Sequence, residues 1–251
     1  MTAKHVSTRI HDAETARVPT RPTGYNARLS LGVGIAIFAL AVIFAIVAEP
    51  NVIGLLVVSL ALTFLFIAVG ATVMQVGLRD RSVRINPSAQ TLRFEGSQAG
   101  VMFFAAAAVV QIVPGLLVVT AWLTDGLQLP GVALIALSLV GLVWLTQIIV
   151  SLRTPAGLTL SVSGIRGVRG TKNVDLRWDS LLGAGVIFVK DSRLVLSLTT
   201  GGTILIAPQY TGSDPNVVAA VLNYYRAHPE HRALLANPRG ALDHVEAALA
   251  D

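Results

Sequence analysis

The chain has 251 residues, of which 53% are hydrophobic and 13% are charged, with a formal net charge of +5. Soluble domains contain about 25% charged residues, so this composition indicates a membrane protein and argues against one large soluble domain. The absence of cysteine excludes disulfides, thiolate metal ligands and cysteine nucleophiles. The basic residues border apolar segments, which favours membrane topology over nucleic-acid binding as their role.

The first segment, 1–28, is rich in Thr, Arg and Pro and shows no apolar periodicity. Such a segment buries too little apolar surface to offset the entropy of ordering, so we expect a disordered tail. Its basic region is too long for a signal peptide, and it lacks a small-residue cleavage pattern after a short apolar core. We therefore expect a tail that is retained in the cytoplasm.

Four apolar segments without Asp, Glu, Lys, Arg or His follow the tail. Each provides the roughly 20 residues that a helix needs to cross the hydrocarbon core. A buried helix of a soluble protein rarely runs that long without a charged face. Within 29–152 we therefore predict a membrane α-helical bundle of four spans: 29–48, 52–78, 101–123 and 131–152.

The distribution of basic residues predicts the orientation of this bundle. Segments 49–51 and 124–129 contain no Lys or Arg, whereas 79–99 contains four Arg residues and Arg153 follows the last span. The positive-inside rule then places the tail, segment 79–99 and the C-terminal domain in the cytoplasm. Because 16 Arg residues stand against 3 Lys, as in GC-rich bacterial genomes, we expect a bacterial inner (plasma) membrane.

The cytoplasmic segment 79–99 contains a hairpin pattern. Apolar and polar residues alternate in 83–85 and in 92–94, and the residues between them favour a turn. The four residues 153–156 reach at most about 14 Å, which holds the following domain near the membrane. An isolated hairpin is marginal in water, so we predict that 83–94 docks on this domain; the alternative is a disordered basic loop. The side chains of Ile85, Leu92 and Phe94 would then be buried. Those of Arg84 and Arg93 would face solvent or headgroups.

The apolar period changes to two in the C-terminal domain, 153–251. This pattern predicts strands at 158–162, 165–169, 174–178, 186–190, 193–199 and 203–207. Asp214 and Pro215 then form a helix start, and a second short helix is expected at 240–250. One apolar stripe is predicted for the first of these helices: Val217, Val218, Val221, Leu222 and Tyr225.

Antiparallel strands followed by one amphipathic helix resemble a pleckstrin-homology (PH)-like domain. Segment 174–181, Val-Asp-Leu-Arg-Trp-Asp-Ser-Leu, is similar to the strand-Trp-acidic-polar-Leu corner of bacterial PH-like domains. Segments 204–208 and 214–225 are similar to their last strand and capping helix. The resemblance implies a small β-barrel or sandwich closed by a helix, which serves as a platform for a ligand or partner and not as a catalyst.

The densest basic group of the C-terminal domain is Arg166, Arg169 and Lys172, and Arg153 lies at the membrane end of the same domain. Some PH domains hold phosphoinositide headgroups with basic residues near their first hairpin, so the resemblance implies binding of an anionic lipid or a protein partner. Arg166 and Arg169 are three residues apart and point to opposite faces of a regular strand. A joint site would need a bulge, for which Gly167 is the candidate.

Gln75, Gln111 and Gln147 are the most polar side chains of the predicted spans. A polar residue at membrane depth is a candidate functional residue, but uncharged Gln also serves to hydrogen-bond helices to one another. We expect the second role. A stripe of small residues in the first span, Gly32, Ala36 and Ala39, permits close helix packing within the bundle or with a second copy of the protein, and we expect packing within the bundle.

Few residues suggest chemistry. His228 and His231 flank Pro229 as a conceivable metal pair, but no third ligand has suitable spacing, so surface polar residues are the favoured interpretation. Asp175 and Asp179 are expected on a solvated strand face. We predict no catalytic residues, no metal and no cofactor.

The leading functional hypothesis is a membrane-anchored scaffold or regulatory accessory subunit. Its PH-like domain would bind a protein partner or anionic lipid at the inner leaflet. The alternative is a transporter or channel component, which the uncharged spans do not favour. A membrane enzyme ranks third, because no nucleophile–base or metal pattern is present.

Overall fold

The computed structural model describes residues 4–10, 24–47, 52–76, 78, 81–87, 89–125, 129–153, 156–168, 173–188 and 192–250. The chain divides into two compact units. The helical unit contains Gly24–Gln75 and Gln98–Ser151. The β-rich unit draws on three separate segments: Met1–Thr23, Val76–Ser97 and Leu152–Asp251.

Four helices form the helical unit: α1 (Gly24–Val47), α2 (Val52–Val76), α3 (Gln98–Asp125) and α4 (Leu129–Ser151). Three of them are long and apolar enough to cross a membrane, over Ile53–Met74, Gln98–Thr120 and Val132–Ser151. In α1 the apolar stretch is shorter, Leu29–Phe44. The three apolar helices indicate a membrane protein.

Small residues allow close helix packing in this unit. A Cβ atom on Gly141 in α4 would lie 2.8 Å from the carbonyl oxygen of Ala108 in α3, and one on Gly34 in α1 would lie 2.9 Å from the Cβ of Ala68 in α2. The stripe predicted for α1 is exposed, and a Cβ on Gly32 would meet no described atom within 4 Å. Packing of this stripe within the bundle is therefore wrong for the described residues, because Gly34, two residues further on, faces the neighbouring helix instead; packing against a second copy stays a prediction.

Pro114 lies inside α3 and has no N–H to donate to the carbonyl of Val110, four residues earlier. The hydroxyl of Ser59 in α2 donates to this carbonyl over 3.2 Å. Ser138 in α4 donates to the next carbonyl, that of Gln111, over 2.7 Å. Serine side chains from two neighbouring helices therefore satisfy backbone groups around the proline.

Nine described strands form two antiparallel sheets in the β-rich unit. The first sheet has the order β1 (Lys4–Ser7), β2 (Ser82–Ile85), β3 (Leu92–Phe94), β4 (Leu158–Ser161), β5 (Gly164–Gly167) and β6 (Val174–Arg177). The second has the order β7 (Leu181–Phe188), β8 (Ser192–Leu198) and β9 (Thr203–Ile206). The described strands thus form two antiparallel sheets, and they do not close into a barrel.

The first strand corrects the prediction for segment 1–28. Lys4–Ser7 pairs antiparallel with β2, and Ile10 lies in the core with only 5% of its surface exposed. Helix α1 also begins at Gly24, inside the segment that was expected to be disordered. The prediction of disorder is therefore wrong for these residues, because Val6 and Ile10 bury apolar surface and an exposed strand edge supplies backbone partners.

The predicted docking of the hairpin 83–94 is confirmed. Strand β3 pairs antiparallel with β4, so one sheet continues from the hairpin into the C-terminal segment. The three predicted apolar side chains, Ile85, Leu92 and Phe94, are fully buried. A domain that starts at residue 153 is consequently too short, because the folded unit also contains the hairpin and β1.

The two arginines of the hairpin do not both face outward as predicted. The guanidinium of Arg93 donates from Nε and Nη2 to the carbonyl of Ala156, over 2.9 and 2.7 Å. The Nε of Arg84 is buried and has no hydrogen-bond partner among the described residues. Arg93 thus joins the hairpin to the start of the C-terminal segment, in addition to the strand pairing.

Three α-helices and a 3-10 helix follow the second sheet: α5 (Pro208–Thr211), α6 (Pro215–Ala227), the 3-10 helix Pro229–Ala236 and α7 (Pro238–Ala248). Asp214 caps α6 as predicted, because its Oδ1 accepts from the N–H of Asn216 over 2.9 Å. Its Oδ2 also accepts from the N–H of Arg81 over 2.9 Å. All five residues of the predicted α6 stripe are buried against both sheets.

Candidate functional site

The predicted basic group is only partly visible in the described part of the chain. Arg153 is exposed, and Arg169 and Lys172 lie outside the described residues. Arg166 on β5 lies opposite Asp175 on β6, and its Nε is 2.9 Å from Oδ1 of that carboxylate. Both side chains are about two-thirds exposed, at 67% and 69%, so this is a solvated cross-strand ion pair. The pairing offsets the charge of Arg166, one of the four basic residues predicted to attract an anionic headgroup.

The backbone after Arg166 departs from strand geometry. Gly167 has φ 116° and ends β5, and Val168 has φ 67°. A β-branched residue rarely adopts a positive φ, so Val168 is held in a strained conformation. This irregularity lies at the position where the sequence would need a bulge to bring Arg166 and Arg169 together.

A cavity of about 490 Å³ lies beside β6. Its lining includes three arginines and two aspartates around one tryptophan: Arg166, Arg177, Arg232, Asp175, Asp179 and Trp178. These residues come from β5, from β6, from the short 3-10 helix Trp178–Ser180 that follows β6, and from the 3-10 helix Pro229–Ala236. The described lining residues therefore combine charges of both signs, with one positive charge in excess.

Trp178 is the fixed centre of this cavity. The residue is only 3% exposed, and its indole N–H donates to the carbonyl of Ser161 over 2.8 Å. The guanidinium carbon of Arg232 lies 4.9 Å from the ring centroid, within the range of a cation–π contact. Arg232 also donates from Nε to Tyr225 and from Nη2 to Arg226, two carbonyls at the end of α6. Its guanidinium is therefore held in one orientation.

Arg177 and Asp179 flank Trp178 in the chain and behave differently from Arg232. Both residues are exposed, and neither side chain makes a hydrogen bond or ion pair with the rest of the described chain. Since Arg166 is already paired with Asp175, the charges that the described lining residues offer to a ligand are those of Arg177, Arg232 and Asp179.

A second polar cluster joins α6, the 3-10 helix and α7. The hydroxyl of Tyr224 lies 2.7 Å from Nδ1 of His231 and 3.0 Å from Nε2 of His244. Burial of Tyr224 raises the pKa of its hydroxyl above the usual value, and the nearby Glu230 carboxylate raises it further. His228 is not hydrogen-bonded to this cluster; its Nδ1–H donates to the backbone carbonyl of Tyr224 over 3.0 Å.

This cluster changes the interpretation of the histidines. The rings of His228 and His231 stack at 5.5 Å, which is not the arrangement of two ligands around one ion. His231 instead contacts His244, a residue that its spacing in the sequence did not single out. Within the described ranges no group of three His, Cys, Asp or Glu side chains could hold a metal ion.

The three intramembrane glutamines have different environments. Gln111 is buried at 8% exposure, and its Oε1 has no hydrogen-bond partner among the described residues. Gln147 lies on an exposed surface of α4, and Gln75 belongs to α2, with its side chain outside the description. The hydrogen bonds between helices described above come from Ser59 and Ser138, so the role expected of Gln111 is filled by serine hydroxyls.

Sequence analysis missed the cavity residues Arg177, Trp178 and Arg232 as candidate site residues. Trp178 was identified only as part of a structural corner. Arg232 lies far along the chain in a different element, and no local pattern places it over the indole ring. The sequence Arg-Trp-Asp at 177–179 could have identified part of the site, because it places one charged residue on each side of a buried aromatic residue.

The fold is that of a membrane protein with a unit of apolar helices and a second unit that contains two antiparallel sheets and several helices. No protein-family model, no curated protein and no solved structure matches this chain.

Proposed function

We propose that the protein is a four-span membrane protein with the N-terminal segment, segment 79–99 and the C-terminal segment in the cytoplasm. Strand pairing supports this topology. Strand β1 pairs with β2, and β3 pairs with β4. Strands that pair lie on the same side of a membrane, so an even number of crossings must separate the two strands of each pair.

The even number of crossings is informative for α1 in particular. Helices α1 and α2 separate β1 from β2, and α2 meets the requirements for a span, so the pairing of these strands supports a crossing by α1 as well. Its 24 residues correspond to about 36 Å of helix, enough for a hydrocarbon core of about 30 Å. The pair α3 and α4 separates β3 from β4 in the same way. The excess of Arg in segment 79–99 then favours the cytoplasm as the common side.

The β-rich unit is proposed to be a PH-like binding module, and the protein a membrane-anchored scaffold or accessory subunit. Two antiparallel sheets followed by α6, which packs on their common core, support the PH-like assignment. The observation that carries the binding function is the cavity around Trp178, where Arg177, Arg232 and Asp179 retain unpaired charges. Asp175 and Asp179 are exposed to water, an environment unlike the desolvated sites of general acid–base catalysis.

A protein partner fits this cavity better than an anionic lipid does. The Arg166–Asp175 ion pair removes one cation from the group that was expected to hold a headgroup. The remaining charges include a carboxylate, which repels a polyanionic headgroup but accepts hydrogen bonds from the backbone N–H groups of a peptide. We therefore place the protein partner ahead of the lipid as the ligand of this unit.

The experiment is affinity purification of the tagged full-length protein from its native membranes. The wild type is compared with Arg177→Gln, which removes a cavity charge, and with Arg239→Gln, a matched change on the exposed face of α7. The proposal expects one stoichiometric protein with the wild type and with Arg239→Gln, and a marked loss with Arg177→Gln. Equal recovery with all three proteins, or solute flux by the purified protein in liposomes without a partner, contradicts it.

A further inference from the structure

We infer that the cavity beside Trp178 binds a single carboxylate of the protein partner, held by Arg177 and Arg232. This inference rests on the proposed function and gives the chemistry of the group that is recognised. The carboxylate is presented by an acidic side chain or a chain terminus next to an aliphatic side chain. Four observations support it: the remaining donors of Arg232, the free side chain of Arg177, the charge balance, and the apolar rim.

Arg232 offers donors in a fixed orientation. A guanidinium has five N–H donors, and Arg232 uses one on Tyr225 and one on Arg226. Those two bonds and the stacking on Trp178 hold the plane of the group in place. Much of the side-chain entropy that a ligand would otherwise have to remove is therefore already lost in the free protein.

Arg177 supplies the second cation. Its side chain is exposed and has no partner in the described chain, yet it lines the same cavity as Arg232. Carboxylates form short, charge-assisted hydrogen bonds with arginine, often two at once. A ligand carboxylate between the two guanidinium groups would use donors that now have only solvent to bind.

The charge balance selects a monoanion. Among the described lining residues, with Arg166 paired to Asp175, two arginines without an ion-pair partner, Arg177 and Arg232, accompany one such carboxylate, that of Asp179. One ligand carboxylate brings these charges to neutrality, whereas a phosphate dianion would leave an uncompensated negative charge. Asp179 can accept an N–H from the ligand, as the backbone of a peptide would provide.

Two apolar residues also line the cavity. Val162 lines the cavity with 61% of its surface exposed, and Leu176 lines it from β6. Contact with an aliphatic side chain of the ligand would remove this apolar surface from water. A carboxylate beside an aliphatic group therefore matches the cavity better than an isolated charge.

The test uses the full-length protein in phosphatidylcholine nanodiscs with Trp178 as the reporter. The chain contains two further tryptophans, Trp122 and Trp144, and Trp122→Phe with Trp144→Phe leaves Trp178 alone. N-acetyl-leucine is titrated against its neutral isostere N-acetyl-leucinamide and against inorganic phosphate. We expect saturable change of Trp178 emission with N-acetyl-leucine, and a Kd at least about tenfold higher for the amide, as for loss of a charge-assisted hydrogen bond.

Variants of the arginines complete the test. Arg177→Gln should raise the Kd for N-acetyl-leucine about tenfold or more, and Arg239→Gln should leave it unchanged, with circular dichroism checking that each variant is folded. Equal binding of acid and amide, no effect of Arg177→Gln, or tighter binding of phosphate would overturn the inference; the last result would point to a lipid headgroup. If N-acetyl-leucine does not bind but recovery of the partner still falls with Arg177→Gln, only the carboxylate as the recognised group is rejected. If recovery of the partner does not depend on Arg177, the proposed function is rejected.

Discussion

Phe94 and Leu158 lie opposite each other in adjacent antiparallel strands, and both side chains are fully buried. Phe94 belongs to the segment between the second and third apolar helices, and Leu158 follows the fourth. The sheet therefore joins parts of the chain that two helices separate. Glycines support this contact, because a Cβ on Gly157 would collide with the carbonyl of Phe94 and one on Gly212 with that of Glu95.

Removing the Phe94 side chain should destabilise the whole β-rich unit. Large-to-small changes of a buried aromatic residue cost about 3–5 kcal/mol in free energy of unfolding. Phe94→Ala should therefore lower the denaturant midpoint and expose the amides of 82–94 and 158–161 to hydrogen exchange together. Val162→Ala, at a largely exposed position, is the control and should change stability by less than about 0.5 kcal/mol. Rapid exchange of 82–94 in the unmodified protein would contradict the docked hairpin.

Asn223 should protect an open edge of the second sheet. Its side chain accepts from the N–H of Ala184 on β7 and donates to the carbonyl of the same residue, each over 2.8 Å. Asn223→Ala leaves both backbone groups without their partner, which costs about 1–3 kcal/mol for a buried group. Asn223→Asp keeps the acceptor and loses the donor, so it should retain more of the protection at the Ala184 amide. Unchanged exchange at that amide in both variants would show that the contact is unimportant.

Ser59 and Pro114 should be coupled energetically. Ser59→Ala leaves the Val110 carbonyl without a donor and should cost about 0.6 kcal/mol, the average for hydrogen bonds between membrane helices. Pro114→Ala restores an N–H at the position that normally bonds to this carbonyl, so the same serine change should cost less in that background. A double-mutant cycle of unfolding in bicelles measures the difference. Strict additivity of the two changes would be inconsistent with the described role of Ser59.

Because the pKa values of Tyr224 and Tyr225 on α6 are raised, we expect the protein to lose stability at high pH. Burial raises the pKa of Tyr225, and the neighbouring Tyr224 raises it further. Unfolded tyrosine ionises near pH 10, so above that pH the unfolded state loses protons that the folded state keeps. The free energy of unfolding should therefore fall as the pH rises above about 10. Tyr225→Phe should make the free energy of unfolding fall less steeply above about pH 10. In an absorbance titration of the tyrosines at about 295 nm, it should remove the step that occurs at the highest pH. Ionisation of all tyrosines together near pH 10 would contradict this.

Much of the fold follows from local patterns. The four helices of the helical unit could be predicted because each corresponds to a long apolar segment without charged residues. Alternation at Leu158 and Leu160 gave β4, and Asp214 with Pro215 gave the start of α6. Docking of the hairpin 83–94 on the C-terminal segment was also predictable, from the short connection after the fourth helix and the marginal stability of a lone hairpin.

The remaining features depend on distant contacts. Lys4–Ser7 has one apolar residue, Val6, and no pattern of its own, so its strand exists only because the edge of β2 is available. The predicted stripe in α1 failed because spacing alone does not say which helix face meets a neighbour. Arg232 stacks on Trp178 only after the 3-10 helix has packed beside β6, an arrangement that no local sequence window contains.

Photo-crosslinking from the rim of the cavity tests the central claim most directly. A benzoylphenylalanine residue replaces Val162, or Leu234 as a control that is exposed but outside the lining, in the full-length protein in its native membranes. The account predicts one protein adduct of defined mass at position 162 that Arg177→Gln weakens and Arg239→Gln does not, and no such adduct at position 234. Adducts with lipid alone at position 162, or the same protein adduct at both positions regardless of Arg177, would contradict a cavity that binds a protein partner.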